Sequence, residues 1–284
     1  MTELSPENKS FKDPLTRSPS YIPADRDTEF LQQDDLLSVR IGLELLKTEL
    51  IQGEQEIQST IVVFLNSTPQ EPTAARETRQ LAEVAAARRP NDRICQQQVA
   101  LARRQLNLSA YYDVTREFGR LVSSSRQVDG RCDYVIATDG GPGIMEAVNR
   151  GAADAHAKSI GLHITLPHEL HPNSYISPEL GFQFRYFVIR QMPFLIRAKA
   201  LVAFLGGFGT LDELFETLTL LQTANTGNVM VVLAGRDFWE RLINRQFHVG
   251  NGLISQSDLQ LFHYAETAQE AWDLIADYNG VPPS

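Results

Sequence analysis

Residues 199–222, KALVAFLGGFGTLDELFETLTLLQ, contain the pattern that decides the fold. Residues 200–205 form an unbroken apolar run, which is typical of a strand buried on both faces of a parallel sheet. The glycine turn GGFG at residues 206–209 follows, and a helix is predicted from Thr210 because apolar residues recur at helical spacing after it. The segment therefore predicts a strand, a glycine turn and a helix, in that order.

Two interpretations of this turn are open. Glycines let the backbone approach a ligand, and the N–H groups of a helix's first turn favour an anion, so the turn is suited to a phosphate. Thr210 and Glu213 also fit a capping box, in which the two side chains satisfy the helix end and take no part in chemistry. The motif is neither G-x-G-x-x-G nor a P-loop, so it predicts neither a dinucleotide nor a nucleoside triphosphate.

A second strand and glycine turn occur earlier in the chain. Residues 134–137 are predicted to be a buried strand, and TDGGPG at residues 138–143 leads into a helical pattern. Two such units in one parallel sheet place both turns at the carboxyl ends of strands, where open α/β sheets bind ligands. The two turns together favour a small molecule that carries a phosphate.

The rest of the chain alternates strands and helices, which predicts an α/β fold with a doubly wound parallel sheet and helices on both faces. Residues 1–33 lack periodicity and are predicted to be a disordered leader. An N-terminal helix that packs on the core is predicted within 34–58, and the α/β domain over 59–284 carries a helical insertion at about 70–124. Further strands are predicted at 60–65, 159–166, 228–233 and 262–265, and helices at 34–57, 72–89, 96–124, 191–198, 237–246 and 267–278.

Composition and charge limit the possible functions. A hydrophobic content of 43% and a net charge of −9 describe an acidic protein, which argues against a broad nucleic-acid or anionic-membrane surface. No apolar run reaches membrane-spanning length, and the first ten residues lack the apolar core of a signal peptide, so a cytoplasmic protein without a membrane partner is predicted. The two cysteines, Cys95 and Cys132, carry no metal spacing. His163, His168 and His171 match no metal motif either, so no metal is predicted.

Two motifs carry a resemblance to a known family. GGFGTLDE at residues 206–213 is similar to the P-G-G-x-G-T-x-x-E signature of the Lonely Guy family, whose members were long labelled lysine decarboxylases. GGPGIMEA at residues 140–147 is similar to that family's other glycine motif. Arg190 stands 23 residues before Glu213, which is the family's separation between its catalytic arginine and glutamate. The resemblance extends from about residue 41 to residue 278.

The resemblance implies a Rossmann-like fold, a homodimer or larger homo-oligomer, and no cofactor. It also implies hydrolysis of the N-glycosidic bond of a nucleoside 5′-monophosphate, AMP or a cytokinin riboside monophosphate, to a free base and ribose 5-phosphate. The departing base leaves positive charge on the ribose, which a carboxylate stabilises. Arg190 and Glu213 are the implied catalytic residues. The implied substrate- and phosphate-binding residues are Gly206, Gly207, Phe208, Gly209, Thr210, Gly140, Gly141, Gly143, Glu146 and Ser67.

Three positions depart from the family pattern. Leu205 replaces a proline, Asp139 replaces a glycine, and Asn66 stands where a Gly-Ser pair is typical. A carboxylate at Asp139 is expected to repel a phosphate unless it points away. These changes keep a second hypothesis open, in which the protein binds or senses a nucleotide without cleaving it.

Lysine decarboxylation is a third hypothesis, which rests on the old family label alone. It needs a lysine that forms a Schiff base with pyridoxal phosphate. Lys158 and Lys199 are the lysines that follow Lys47, and neither lies in a recognisable cofactor motif.

Overall fold

The computed structural model describes residues 14–64, 71–127, 132–164, 171–225 and 227–281. Its contacts divide the chain into two units, Met1–Lys47 and Thr48–Ser284. The described part of the first unit contains a 3-10 turn at Pro19–Tyr21 and a short helix at Thr28–Leu31. Residues 1–13 of the predicted leader lie outside the described residues, and the leader stays a prediction.

Strands and helices alternate along the described chain, as expected for a doubly wound fold. The strands are β1 Thr60–Phe64, β2 Val135–Thr138, β3 Ser159–Ile164, β4 Gly181–Phe184, β5 Ala198–Ala203, β6 Met230–Ala234 and β7 Phe262–Ala265. The helices are α1 Thr28–Leu31, α2 Leu37–Glu54, α3 Pro72–Arg88, α4 Arg93–Leu108, α5 Ala110–Arg126, α6 Ile144–Asp154, α7 Phe187–Ile196, α8 Phe208–Gln222, α9 Arg236–Leu242, α10 Arg245–Gly250 and α11 Ala268–Tyr278.

Within the described residues the seven strands form one sheet in the order β4-β3-β2-β1-β5-β6-β7. Every neighbouring pair is parallel. The chain builds the sheet outward from β1 through β2, β3 and β4, and then crosses to the other side of β1 to form β5. The strand order therefore reverses between β1 and β5, and a crevice opens beyond the carboxyl ends of the strands at such a reversal. The predicted α/β fold is confirmed.

Both faces of the sheet are buried, which explains the unbroken apolar runs in the sequence. In β1, Ile61 and Val63 belong to one core cluster, whereas Val62 and Phe64 belong to the other. Side chains from α5, α6 and α11 cover the first face, and side chains from α7, α8 and α9 cover the second.

Helices α3 and α4 form a hairpin between β1 and α5, within the predicted insertion. A small core of its own, made of Ala86, Cys95 and Val99 with Ala82 packed against it, holds the two helices together. The predicted single helix at 96–124 is wrong, because the chain breaks at Ser109 into α4 and α5. The Ser109 hydroxyl donates to the Leu106 carbonyl at 2.7 Å and so terminates α4.

Several other element boundaries differ from the predicted ones. Helix α7 begins at Phe187 rather than residue 191, directly after the short strand β4, and so contains Arg190. The predicted helix at 237–246 is two helices, α9 and α10. The strand at 262–265 is confirmed without change.

Candidate active site

The site is assembled at the carboxyl ends of β2, β3 and β5, where the two glycine turns leave the sheet. The turn after β5 contains Gly206 and leads into α8, and the turn after β2 leads into α6. Arg190 reaches the same region from α7. The two turns that the sequence predicts as ligand-binding therefore meet at one edge of the sheet.

The turn between β5 and α8 is tight at its first glycine and open at the next two. A Cβ atom at Gly206 would lie 2.0 Å from the Thr210 hydroxyl oxygen, so the turn closes here only without a side chain. A Cβ at Gly207 or Gly209 would meet no atom within 4 Å. Phe208, between them, is 93% exposed. The backbone at Gly207 and Gly209 is thus accessible to a ligand.

The helix after this turn begins two residues earlier than predicted. Gly207 is its N-cap, Phe208 is its first residue, and no side chain caps it. Thr210 and Glu213 therefore lie inside the helix, one turn apart, and the predicted capping box does not form. Glu213 instead contacts Arg190. The structural interpretation of Thr210 and Glu213 is wrong, and the N-terminus of α8 has no side-chain cap to compete with an anion.

Buried hydrogen bonds fix the turn between β2 and α6. Gly140 and Gly143 have φ values of 75° and 76°, which favour glycine. The Gly140 N–H donates to the Thr138 hydroxyl at 2.9 Å. The Asn173 side-chain amide donates to the carbonyls of Gly140 and Gly141 at 3.0 and 3.1 Å. This turn is preorganised by its neighbours.

Arg190 lies at the centre of the site and is 3% exposed. Its guanidinium lies 4.8 Å from the ring centroid of Phe187 and 5.7 Å from that of Phe194, so cation–π contacts hold it in place. One terminal nitrogen, Nη1, donates to Oδ1 of Asp139, and the other, Nη2, donates to Oε1 of Glu213 at 3.3 Å. The structure thus brings Arg190 and Glu213 together and adds Asp139 to them.

One cation faces two carboxyl groups in this cluster. Burial first, and then the charges of Asp139, Glu216 and Asp212, raise the pKa of Glu213 to about 8 against the opposing charge of Arg190. Glu213 is therefore mostly protonated at neutral pH. In its protonated form Glu213 can donate a hydrogen bond to a neighbouring acceptor.

The remaining predicted site residues have different surroundings. Glu146, in the first turn of α6, accepts a 3.4 Å hydrogen bond from the Tyr112 hydroxyl. Arg150 in turn donates to that hydroxyl at 3.4 Å. Ser67 and Asn66 lie outside the described residues.

Sequence reasoning missed the cleft beside the second turn. His163, at the end of β3, packs against Gly140, where its Nε2 would lie 2.3 Å from an added Cβ. Burial and the charge of Arg190 lower the pKa of His163, which favours the neutral imidazole. A cleft of about 450 Å³ opens here. Its lining includes His163, His171, Asn173, Ile176, Phe182 and Gln183. The sequence suggested only a metal-binding role for His163 and His171. It does not show that the end of β3 lies in space beside the glycine turn that follows β2.

The structure also locates the lysines and possible metal ligands. Lys158 precedes β3, where its Nζ donates to the Gln55 carbonyl at 3.1 Å, and Lys199 is exposed near the start of β5. Both lie at the amino ends of strands, at the edge opposite the crevice. In the described part of the chain, no group of three or more His, Cys, Asp or Glu side chains could hold a metal ion. None of the described helices is both long and apolar enough to span a bilayer.

Comparisons with known proteins match a family profile and several solved structures, among them the two that follow. Residues 145–275 match the profile of the family described as "Possible lysine decarboxylase". The solved structure of TM1055, a structural genomics target, is 18% identical, and the match covers 77% of this chain and 99% of that one with a TM-score of 0.44. The Moco carrier protein from Chlamydomonas reinhardtii is 20% identical over 61% of this chain and 89% of its own, with a TM-score of 0.37. No curated protein matches the chain.

The matched segment 145–275 contains Arg190, Glu213 and the complete turn between β5 and α8. Its description is the older label of the Lonely Guy family, to which the two glycine motifs point. The predicted resemblance is therefore confirmed over residues 145–275.

Proposed function

We propose that this protein hydrolyses the N-glycosidic bond of a nucleoside 5′-monophosphate, AMP or a cytokinin riboside monophosphate, to a free base and ribose 5-phosphate. The observation that carries the proposal is the contact between Arg190 and Glu213 beside two glycine turns. The family match supports the same chemistry, because its segment contains both residues.

The phosphate is assigned to the turn between β5 and α8. The accessible backbone at Gly207 and Gly209 leaves room for phosphate oxygens, and the uncapped N-terminus of a helix of 15 residues supplies N–H donors and a favourable dipole. The buried Thr210 lies in the same first turn. The ribose then lies toward the Arg190 cluster, and the base toward the turn after β2.

The chemistry is assigned to the charged cluster. Loss of the base leaves an oxocarbenium-like ribose, which a fixed carboxylate stabilises. Glu213 and Asp139 supply carboxyl groups, and Arg190 holds both. Because Arg190 is almost fully buried between two aromatic rings, its position is fixed before the substrate binds.

A panel of nucleoside 5′-monophosphates tests this function. The purified protein should release base and ribose 5-phosphate from at least one member of the panel, with the matching nucleosides as the comparison for phosphate recognition. Arg190→Ala should lower kcat/KM by about 100-fold or more, because it leaves the carboxyl groups of Asp139 and Glu213 without their shared cation. Arg185→Ala, an exposed arginine five residues earlier, is the matched control and should retain activity. Absence of base release from every nucleotide would contradict the proposal.

The second hypothesis, nucleotide binding without cleavage, is favoured by one observation. Asp139, which replaces the family's glycine, occupies Nη1 of Arg190, which is then less available for a substrate anion. Calorimetric binding of a nucleotide with no product after hours would favour this alternative. Lysine decarboxylation lacks such support, because Lys158 and Lys199 lie at the opposite edge of the sheet.

A homodimer is part of the proposed function. Helix α7 exposes Val188, Met192 and Ile196, which recur every four residues along one side. Helix α8 exposes Phe208 and Phe215. Apolar side chains exposed together on neighbouring helices are typical of protein interfaces, and the partner implied by the family is a second copy of the chain.

A further inference from the structure

Helix α7, which carries Arg190, is only partly held together by its own hydrogen bonds. It has ten residues, and Pro193 stands inside it. A proline has no N–H group, so the carbonyl of Ile189 cannot accept the usual helical hydrogen bond from residue 193. Arg190 therefore lies in a first helical turn whose position depends strongly on contacts with other elements.

Two consecutive residues of α7 meet two consecutive residues of α8. Nη2 of Arg190 donates to Oε1 of Glu213 at 3.3 Å, and both side chains are almost fully buried. Directly beside this pair, Nε2 of Gln191 donates to Oδ2 of Asp212 at 3.0 Å. The two helices are thus joined by two adjacent contacts, and one of them is the proposed catalytic pair.

The contact between Gln191 and Asp212 has the better geometry of the two. Its length of 3.0 Å is ordinary for a hydrogen bond, whereas the 3.3 Å contact of Arg190 with Glu213 is long. Gln191 is 8% exposed, and a buried amide that loses its acceptor costs free energy, so Gln191 favours the arrangement that keeps Asp212 in place. The bond therefore fixes the first turn of α8 against the first turn of α7.

We propose that Gln191 and Asp212 are positioning residues of the active site, whose hydrogen bond holds Arg190 and Glu213 opposite each other for catalysis. This inference rests on the proposed function, because it concerns the residues assigned to the chemistry. Neither Gln191 nor Asp212 needs to touch the substrate. Each acts through its neighbour in the chain, which moves with it as part of the same helical turn.

The expected kinetic effect follows from the place of the bond. Without it the two first turns can shift relative to each other, and a small misplacement of reacting groups lowers the rate of the chemical step. The phosphate is assigned to the backbone of the turn that contains Gly207 and Gly209, which precedes Asp212 in the chain. Loss of the bond should therefore lower kcat and change KM little.

Two variants remove the bond from its two ends, with the best substrate of the nucleotide panel. Gln191→Met replaces the amide with an unbranched apolar side chain of similar length, and Asp212→Ala removes the acceptor at an exposed position. Each should lower kcat by about 10-fold, with KM within about 2-fold of wild type. The double variant should lose no more than either single variant, because all three lack the same contact.

Asp212→Asn separates the hydrogen bond from the charge. The charge of Asp212 also acts on Glu213, so Asp212→Ala removes two interactions at once. Asparagine lacks the charge but keeps a carbonyl oxygen that can accept from Gln191. This variant should therefore recover most of the kcat that Asp212→Ala loses.

Gln222→Met is the matched control. Nε2 of Gln222, at the other end of α8, donates to Oδ2 of Asp258 at 2.8 Å, so the same change removes the same kind of contact far from Arg190. It should leave both kcat and KM unchanged. Circular dichroism and melting temperatures show that each variant is folded. Should Gln191→Met not fold, the exposed position 212 still decides the question through its alanine and asparagine variants.

The outcomes distinguish this inference from the proposed function. If the wild type cleaves no nucleotide, both are overturned. If it cleaves and both Gln191→Met and Asp212→Ala keep full kcat, the positioning role alone is overturned. Additive losses in the double variant, equal losses in Asp212→Asn and Asp212→Ala, or an equal loss in Gln222→Met also overturn it. A loss of kcat that is shared by the two ends, recovered by Asp212→Asn and absent from the control supports it.

Discussion

Glu213 holds its proton more tightly in the folded protein than in the unfolded chain. Its pKa is about 8 in the folded state, against an ordinary value of 4.5. Between these values the unfolded chain loses the proton and the folded protein keeps it, so stability falls as the pH rises through this window. Below pH 4.5 both states are protonated, and above pH 8 both are ionised, so the contribution is constant outside the window.

Glu213→Gln should remove this dependence. The variant should gain free energy of unfolding relative to wild type between pH 5 and pH 8, because glutamine stays neutral in both states, whereas ionisation of Glu213 in the unfolded chain increasingly favours unfolding of the wild type. Urea denaturation at the two pH values measures the difference. Glu179→Gln, at an exposed glutamate, is the control and should show the same difference from wild type at both. An equal effect of Glu213→Gln at the two pH values would contradict the prediction.

Sequence reasoning at the residue scale identified one half of the charged cluster. The spacing of Arg190 and Glu213 within a family signature predicted that they act together, and they are in contact. The partner of Asp139 was not predictable, because Asp139 and Arg190 are 51 residues apart in the chain and their approach is set by the packing of the sheet. The hydrogen bond from the Asn173 side chain to the Gly140 carbonyl was not predictable either, because these residues are also far apart in the chain.

At the scale of elements, the turn between β5 and α8 contains one glycine that the backbone needs in order to close and another that leaves open space for a ligand. Gly206→Ala should destabilise the protein by about 1–3 kcal/mol, because its Cβ would overlap the Thr210 side chain and force the turn apart. Gly209→Ala, three residues along, meets no atom within 4 Å and should leave stability unchanged or slightly raised.

Chemical denaturation measures the free energy of unfolding of both variants, and calorimetry measures their nucleotide binding. Gly209→Ala should weaken binding of the phosphate despite normal stability, because the new methyl group projects into the open space of the turn. Equal stability of the two alanine variants would contradict the distinction between a closing glycine and a ligand-facing glycine.

The sequence predicted the strands that are buried on both faces of the sheet, and it missed the elements whose bounds depend on local contacts. Apolar runs located six of the strands to within a few residues, because strands buried on both faces have one dominant signal. The short strand β4 alternates exposed and buried residues and merges with α7, so its signal was mixed. The break at Ser109 has neither glycine nor proline, and it depends on one side-chain hydrogen bond.

For the whole molecule, the proposed dimer depends on the apolar residues of α7 and α8. Val188 is 69% exposed and lies in the stripe on α7. Val188→Asp should convert a dimer into a monomer, because it places a charge within an apolar interface. Sedimentation velocity of wild type and variant measures the change.

Leu101→Asp is the matched control for this experiment. Leu101 is 53% exposed on the α3–α4 hairpin, so the same charge there should leave the dimer intact. A monomeric wild type, or a dimer that survives Val188→Asp and dissociates with Leu101→Asp, would contradict the assignment of the interface to α7 and α8.

The small core of the α3–α4 hairpin has a consequence for local unfolding of the protein. Its core of Ala86, Cys95 and Val99 is small and separate from the two clusters that enclose the sheet, so little apolar surface is exposed when these helices part. Segments with few buried apolar contacts open at a lower free energy than the global transition. Local unfolding can therefore begin in this hairpin before the two clusters that enclose the sheet come apart.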